Sequence, residues 1–133
     1  MSSKTFVFSE AVNGQYIIEL YAGDYVMIEE TFTDVLLEYD EFVQKINTCF
    51  HGGDPRVLKS AIHKIKPLFG FVGLTDIQAR CVRFENACQE ADSCSALAGE
   101  YSSLFEQLVR AKAIIQEEQA RLVLFNQNNP TSG

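Results

Sequence analysis

Apolar side chains recur every three or four residues along most of this 133-residue chain. That spacing places them on one face of an α-helix, whereas a half-buried strand needs alternation with a period of two. The Asn-Gly pair at 13–14 is not flanked by segments that read as paired strands. The pattern therefore predicts an all-α fold, an antiparallel up-and-down four-helix bundle with a short extra N-terminal helix.

Start and stop signals divide the pattern into helices. Asp54-Pro55 is a strong start, an N-cap followed by proline at the first helical position. We expect one domain over residues 1–133, with a core at about 16–125 and a frayed polar tail at 126–133. The predicted helices cover residues 11–21, 24–39 with a continuation over 41–50 after a cap or bend at Asp40, 55–72, 75–91 and 95–125.

Composition excludes several classes of function. Hydrophobic residues make up 47% of the chain, as in an ordinary globular domain, yet no apolar run is long enough to span a membrane. The start, MSSKTFVFSE, lacks the apolar core of a signal peptide, so we expect a cytoplasmic protein. The net charge of −7 argues against nucleic acid and anionic membranes as partners.

The cysteines do not predict a metal site. Cys49, Cys81, Cys88 and Cys94 contain no CxxC pair, and Cys49 with His51 would be only half a site. Cys81 and Cys88 are seven residues apart and share one helix face. We expect them to fill the core as small apolar side chains and expect no metal.

The segment SAIHKIKPLFGFVGL, residues 60–74, places His63 on the solvent side of its helix. Within about 60° of His63 on the helical wheel lie Arg56, Lys59, Lys66, Pro67 and Gly70. Pro67 removes the hydrogen bond to the His63 carbonyl, and we expect the helix to continue through it with a local bend. The opposite side is an apolar stripe of Val57, Leu58, Ala61, Ile65, Leu68, Phe69 and Val72.

A basic island surrounds this histidine in an otherwise acidic chain. Arg56, Lys59, Lys64 and Lys66 occur here without any acidic residue between them. An exposed neutral imidazole is a nucleophile near pH 7, and a phosphoryl group on His63 would be stabilised by nearby ammonium groups. The basic island predicts that an anion binds to this face of the helix.

These residues resemble the signature of histidine-containing phosphotransfer (HPt) domains, a histidine followed by lysine three residues later and glycine ten residues later. Here the three are His63, Lys66 and Gly73. The resemblance extends over about residues 17–122 and includes LYAGDYVMIEETFTDVL, GGDPRVLKSAIHKIK and CVRFENAC.

The resemblance implies a four-helix bundle that carries a phosphoryl group on His63 between receiver-domain aspartates in two-component signalling. Lys66 would stabilise the phosphoryl group, and Gly70 and Gly73 would permit close approach and helix packing. The implied partners are response-regulator receiver domains and a hybrid sensor histidine kinase. Mg²⁺ is expected on the receiver, and the carrier would have no cofactor of its own. The expected receiver-docking face comprises Arg56, Lys59, Lys64, Pro67 and Gly70.

The chain departs from the family pattern at two places. Pro67, Leu68 and Phe69 follow the lysine where relatives commonly have small residues, and Glu85 stands where some relatives have a glutamine that bonds the histidine. The glutamine's role is therefore not transferred to Glu85. The chain also lacks a Gly-rich nucleotide motif, so it is expected to have no ATP-dependent kinase activity and to be barely an enzyme.

Two other functions fit the same residues. The basic, proline-bearing face could bind an acidic or receiver-like partner without phosphoryl transfer. Alternatively, the bundle could be a plain scaffold or a homodimer in which His63 is idle. An acidic bundle with few exposed apolar residues favours a monomer.

Overall fold

The computed structural model describes residues 4–130, and within them every regular element is a helix. This confirms the predicted all-α fold. The elements are α1 (Gly14–Leu20), α2 (Tyr25–Gly52), α3 (Pro55–Phe71), α4 (Thr75–Glu90), a 3₁₀ turn (Cys94–Leu97) and α5 (Ala98–Asn128). No helix in this part of the chain is long and apolar enough to cross a membrane.

The four long helices form a closed ring of neighbours. Helix α2 packs against α3 and α5, and α4 completes the ring by packing against the same two helices. Because the connections between them are short, consecutive helices run antiparallel, as predicted for an up-and-down bundle. The shared core includes the fully buried side chains of Phe32, Ile46, Leu58, Phe69, Leu108 and Ile115.

Helix α3 begins and ends where its sequence signals predict. Asp54 accepts a hydrogen bond from the backbone N–H of Arg56 at 2.9 Å, which satisfies an N–H at the start of the helix. Gly73 follows the end with φ +72°, and Leu74 N donates to Phe69 O at 2.8 Å. This is a Schellman ending, and its left-handed residue favours glycine.

Helix α1 packs closely against Gly73. A Cβ on Gly73 would lie 2.6 Å from Ile17 Cγ1, so a side chain would displace α1. Asn13 N donates to Gly73 O at 2.8 Å at the same junction. The short first helix is therefore docked on the C-terminal end of α3.

The structure corrects several helix details. Helix α2 runs through Asp40 as one helix, and Asp40 is exposed on it rather than capping or bending the chain. The last helix begins with the 3₁₀ turn and becomes α-helical only at Ala98. The predicted frayed tail is helical as far as Asn128, and residues 131–133 lie outside the described residues.

The buried arc of α3 is rotated relative to the predicted stripe. Val57 is 50% exposed, whereas Ile62, on the other edge of the stripe, is completely buried. The reason is that α3 is covered by α4 as well as by α2, and two neighbours bury a wider arc than one. The prediction was wrong for Val57 and omitted Ile62.

Candidate functional site

Helices α3 and α4 lie side by side and pair polar residues along their common edge. Lys59 donates to the side-chain oxygen of Gln89, and one turn further along both helices His63 meets Glu85. Lys66 also reaches Glu85. The antiparallel register therefore places the basic residues of α3 against a polar row on α4.

The imidazole of His63 is held on one side and open on the other. Its side chain is 68% exposed, and its Nδ1 lies 3.2 Å from Glu85 Oε2. A carboxylate can only accept a hydrogen bond, so in the neutral ring this contact selects the tautomer with the proton on Nδ1 and the lone pair on Nε2. The exposed position of His63 agrees with the wheel, and the arrangement gives a nucleophile that faces solvent.

Glu85 is a largely buried carboxylate with two partners from α3. Its side chain is 10% exposed, and its Oε1 lies 2.7 Å from Lys66 Nζ. Oε1 is buried and receives no hydrogen bond of good geometry, so its contact with Lys66 is mainly ionic. Lys66 is itself only 22% exposed, which screens this pair less than a surface pair.

Gly70 is placed differently from the sequence prediction. It is buried rather than open, because Gln78 of α4 lies across it. A Cβ at Gly70 would be 3.0 Å from Gln78 Nε2, and that nitrogen donates to Lys66 O at 3.5 Å. The absence of a side chain at Gly70 therefore makes room for α4. A molecule that docks at this position would contact Gln78 instead of Gly70.

The other residues of the expected docking face are open to solvent to different degrees. Arg56 is strongly exposed, with its Nε 3.5 Å from Asp54 Oδ1. Lys64 and Pro67 are exposed as well, and Lys59 is partly covered. Helix α3 continues through Pro67 to Phe71, as predicted, and the bend stays a prediction.

Sequence reasoning missed the contribution of α4. Glu85 was noticed only as a departure from a family pattern, and Gln78 and Gln89 were not identified. A signal for Glu85 was present, since it lies at the edge of an apolar helix face that includes Phe84 and Cys88. A carboxylate buried beside such a face requires a partner on the facing helix.

The cysteines behave as core residues. All four are buried free thiols. Burial raises the pKa of Cys81 to about 12 and the pKa of Cys88 to about 11, so both thiols are protonated at neutral pH. Their predicted packing role is confirmed. Within residues 4–130 no group of three or more His, Cys, Asp or Glu side chains could hold a metal ion.

The comparisons with known proteins agree with this geometry. The model of the Hpt domain family matches residues 30–119, which include α3 and α4 and span well over half of the chain. The chain therefore belongs to the Hpt domain family, and the resemblance found in its sequence is confirmed.

In fold, the chain is similar to the HPT domain of the Hpt sensor hybrid histidine kinase from Shewanella. The TM-score is 0.71 at 20% sequence identity, and the match covers 84% of this chain and 95% of that domain. No curated protein matches the chain.

Proposed function

We propose that this chain is a phosphorelay carrier that holds a phosphoryl group on Nε2 of His63. The observation that carries the proposal is the pairing of an exposed imidazole with a buried carboxylate that binds its other nitrogen. Membership of the Hpt domain family supports the same class of reaction.

The proposed step is a reversible displacement. The Nε2 lone pair of His63 attacks the phosphorus of an aspartyl phosphate on a receiver domain. The N–P bond forms, the P–O bond to the aspartate breaks, and its electron pair stays on the aspartate carboxylate. The Nδ1 proton remains between His63 and Glu85, whose negative charge stabilises the imidazolium that forms. A second receiver aspartate takes the phosphoryl group by the reverse step.

The receiver partner would bring what this chain lacks. A receiver would supply the aspartate and the Mg²⁺ that stabilises the transferring group, and a hybrid sensor histidine kinase would stand upstream. The carrier itself would use no ATP. Receivers would dock over His63 and the exposed Pro67, with Arg56 and Lys64 at the border of the contact. Lys59 and Lys66 would lie beneath the phosphoryl group.

A labelling experiment tests the proposal. Incubation with a ³²P-phosphorylated receiver should label the wild type and leave His63→Gln unlabelled. His51 is the only other histidine of the chain and is exposed, so His51→Gln is the matched control and should be labelled normally. Equal labelling of wild type and His63→Gln would refute the assignment.

The labelled nitrogen provides a second readout. Two-dimensional ¹H–¹⁵N NMR of the phosphorylated chain should show the phosphoryl group on Nε2 and the proton on Nδ1. Phosphorylation on Nδ1 would contradict the role given to Glu85. Binding of a receiver to His63→Gln together with undiminished signalling would favour the non-catalytic interaction module.

A further inference from the structure

The charges around His63 do not all remain available to a phosphoryl group. Lys66, the lysine at the signature position, lies 2.7 Å from Glu85, so the two form a pair with no net charge. Lys59 instead donates to the neutral amide oxygen of Gln89. Among the contacts of residues 4–130, no carboxylate pairs with Lys59.

The remaining basic residues are less well placed. Lys64 projects about 100° around the helix from His63, away from the row on α4. Arg56 is two turns away and lies beside the carboxylate of Asp54. Lys59 is therefore the cation on the α4 side of His63 whose charge is not balanced by a nearby carboxylate.

Helix geometry places Lys59 within reach of a group on His63. Side chains of an α-helix lean towards its N-terminus, and residues four apart are neighbours on the surface. His63 therefore leans towards the turn that carries Lys59. Gln89 holds the Lys59 ammonium one turn from Glu85, the residue that holds the imidazole.

From this arrangement we propose that Lys59 supplies the net positive charge that stabilises the phosphoryl group on His63. Gln89 acts as its positioning residue. Lys66 serves mainly to neutralise Glu85, so that a carboxylate can bind the imidazole without repelling the incoming phosphate. The proposal rests on the phosphorelay function proposed above and assigns the counter-charge within that site.

The test is the equilibrium distribution of phosphoryl groups between this chain and a receiver. The measured quantity is the ratio of the phosphorylated chain to the phosphorylated receiver at equilibrium. It depends on the free energies of the free proteins, and weaker docking alone does not change it. Loss of one charge-assisted hydrogen bond to the phosphoryl group should lower the ratio by roughly tenfold in Lys59→Gln. Lys59→Arg keeps the charge and should stay close to wild type.

Two comparison variants make the result specific. Arg110→Gln removes an exposed positive charge on α5, which lies diagonally across the bundle from α3, and should leave the ratio unchanged. Lys64→Gln removes an exposed positive charge beside His63 on the side away from α4, and should shift the ratio less than Lys59→Gln does. Circular dichroism and thermal unfolding of each variant would identify any loss of folding.

The outcomes separate this inference from the function on which it rests. A wild type that is not labelled at all overturns both. If labelling depends on His63 as expected but Lys59→Gln gives the same ratio as Arg110→Gln, the proposed function stands and only the inference about Lys59 is overturned. A shift in Lys64→Gln as large as that in Lys59→Gln also overturns it, as would a loss in Lys59→Arg equal to that in Lys59→Gln.

Discussion

Glu118 and Glu85 are the two charged residues buried in the described part of the chain, and they differ in what surrounds them. Glu118 on α5 is 2% exposed and accepts from Ser9 N at 2.7 Å and from Arg121 Nη1 at 2.5 Å. Glu85 on α4 faces an open imidazole and has one oxygen without a well-aligned donor.

The surroundings of Glu118 are those of a structural clamp. Arg121 also donates to Val7 O at 2.7 Å, and its guanidinium lies 4.7 Å from the centroid of the Phe6 ring. Together with the bond from Ser9, these contacts fasten residues 6–9 of the N-terminal segment to α5. Both Glu118 oxygens have hydrogen-bonded partners within the protein, so nothing remains for a visiting molecule.

The difference shows how a buried carboxylate can be assigned a role. Burial of a charge is costly in both places and needs a partner. Where the partners are all internal, the carboxylate stabilises the fold. Where one partner is an exposed nucleophile, the carboxylate can act on chemistry at the surface.

Removal of Glu118 should have the largest effect on stability. Glu118→Ala leaves the Ser9 N–H and part of Arg121 without partners, which should cost about 2 kcal/mol of unfolding free energy. Urea unfolding would measure it, with Glu117→Ala, an exposed neighbour, as the control. If Glu118→Ala lost phosphoryl transfer without losing stability, the assignment of Glu118 to the fold and of Glu85 to the site would be wrong.

Removal of Glu85 should cost less stability and alter the imidazole. Its partners His63 and Lys66 remain partly accessible to water, so Glu85→Ala should lower the unfolding free energy by only about 1 kcal/mol. In ¹⁵N NMR spectra of the neutral ring, the proton should lose its preference for Nδ1. Unchanged tautomer populations would show that Glu85 does not orient the histidine.

A third carboxylate, Asp54, should make the stability of the fold depend on pH at the acid end. Hydrogen bonds from Arg56, first from its backbone N–H, lower the pKa of Asp54 below its ordinary value of 3.8. A depressed folded-state pKa contributes stability above pH 3.8 that is lost as the pH falls through the folded-state pKa.

Asp54→Ala should therefore flatten the acid side of the stability profile, as followed by thermal unfolding from pH 5 to 2. The exposed Asp92 has no cap role in the described structure, so Asp92→Ala is the control. A steeper loss of stability in Asp54→Ala at acid pH would contradict the expected direction of this effect.

The smallest effect is expected at an exposed ion pair between α2 and α5. Lys112 Nζ lies 2.8 Å from Asp40 Oδ1, but the aspartate side chain is 74% exposed. Lys112→Gln should change the unfolding free energy by less than about 0.5 kcal/mol in urea titrations. A change as large as that of Glu118→Ala would show that burial does not determine how much each carboxylate contributes to stability.

Much of α3 could be predicted because its signals are local. Asp54-Pro55 fixes its start, Gly73 fixes its end, and the 3.6-residue period fixes the side on which His63 lies. Each of these depends on residues within a few positions of one another. Pro67 did not break the helix, since the loss of one hydrogen bond is outweighed by the buried face on the opposite side.

The contacts of Glu85 and Gly70 could not be predicted in the same way. Glu85 is 22 positions from His63, and the pairing depends on the relative shift of two antiparallel helices. Gly70 lies on the same side of the wheel as His63 and was expected to be open, but Gln78 covers it. Side-chain packing between the helices sets that register, and it cannot be predicted from the spacing of residues within one helix.

The sequence by itself determined the helical class, the borders of α3, the solvent-facing histidine and the family, because these follow from local backbone preferences, periodicity and a short ordered motif. The tertiary structure alone decided that a carboxylate holds His63, that Lys66 is paired with it and that Lys59 is not. The physical reason is that charge compensation depends on distances between helices, and these are fixed only when the core packs.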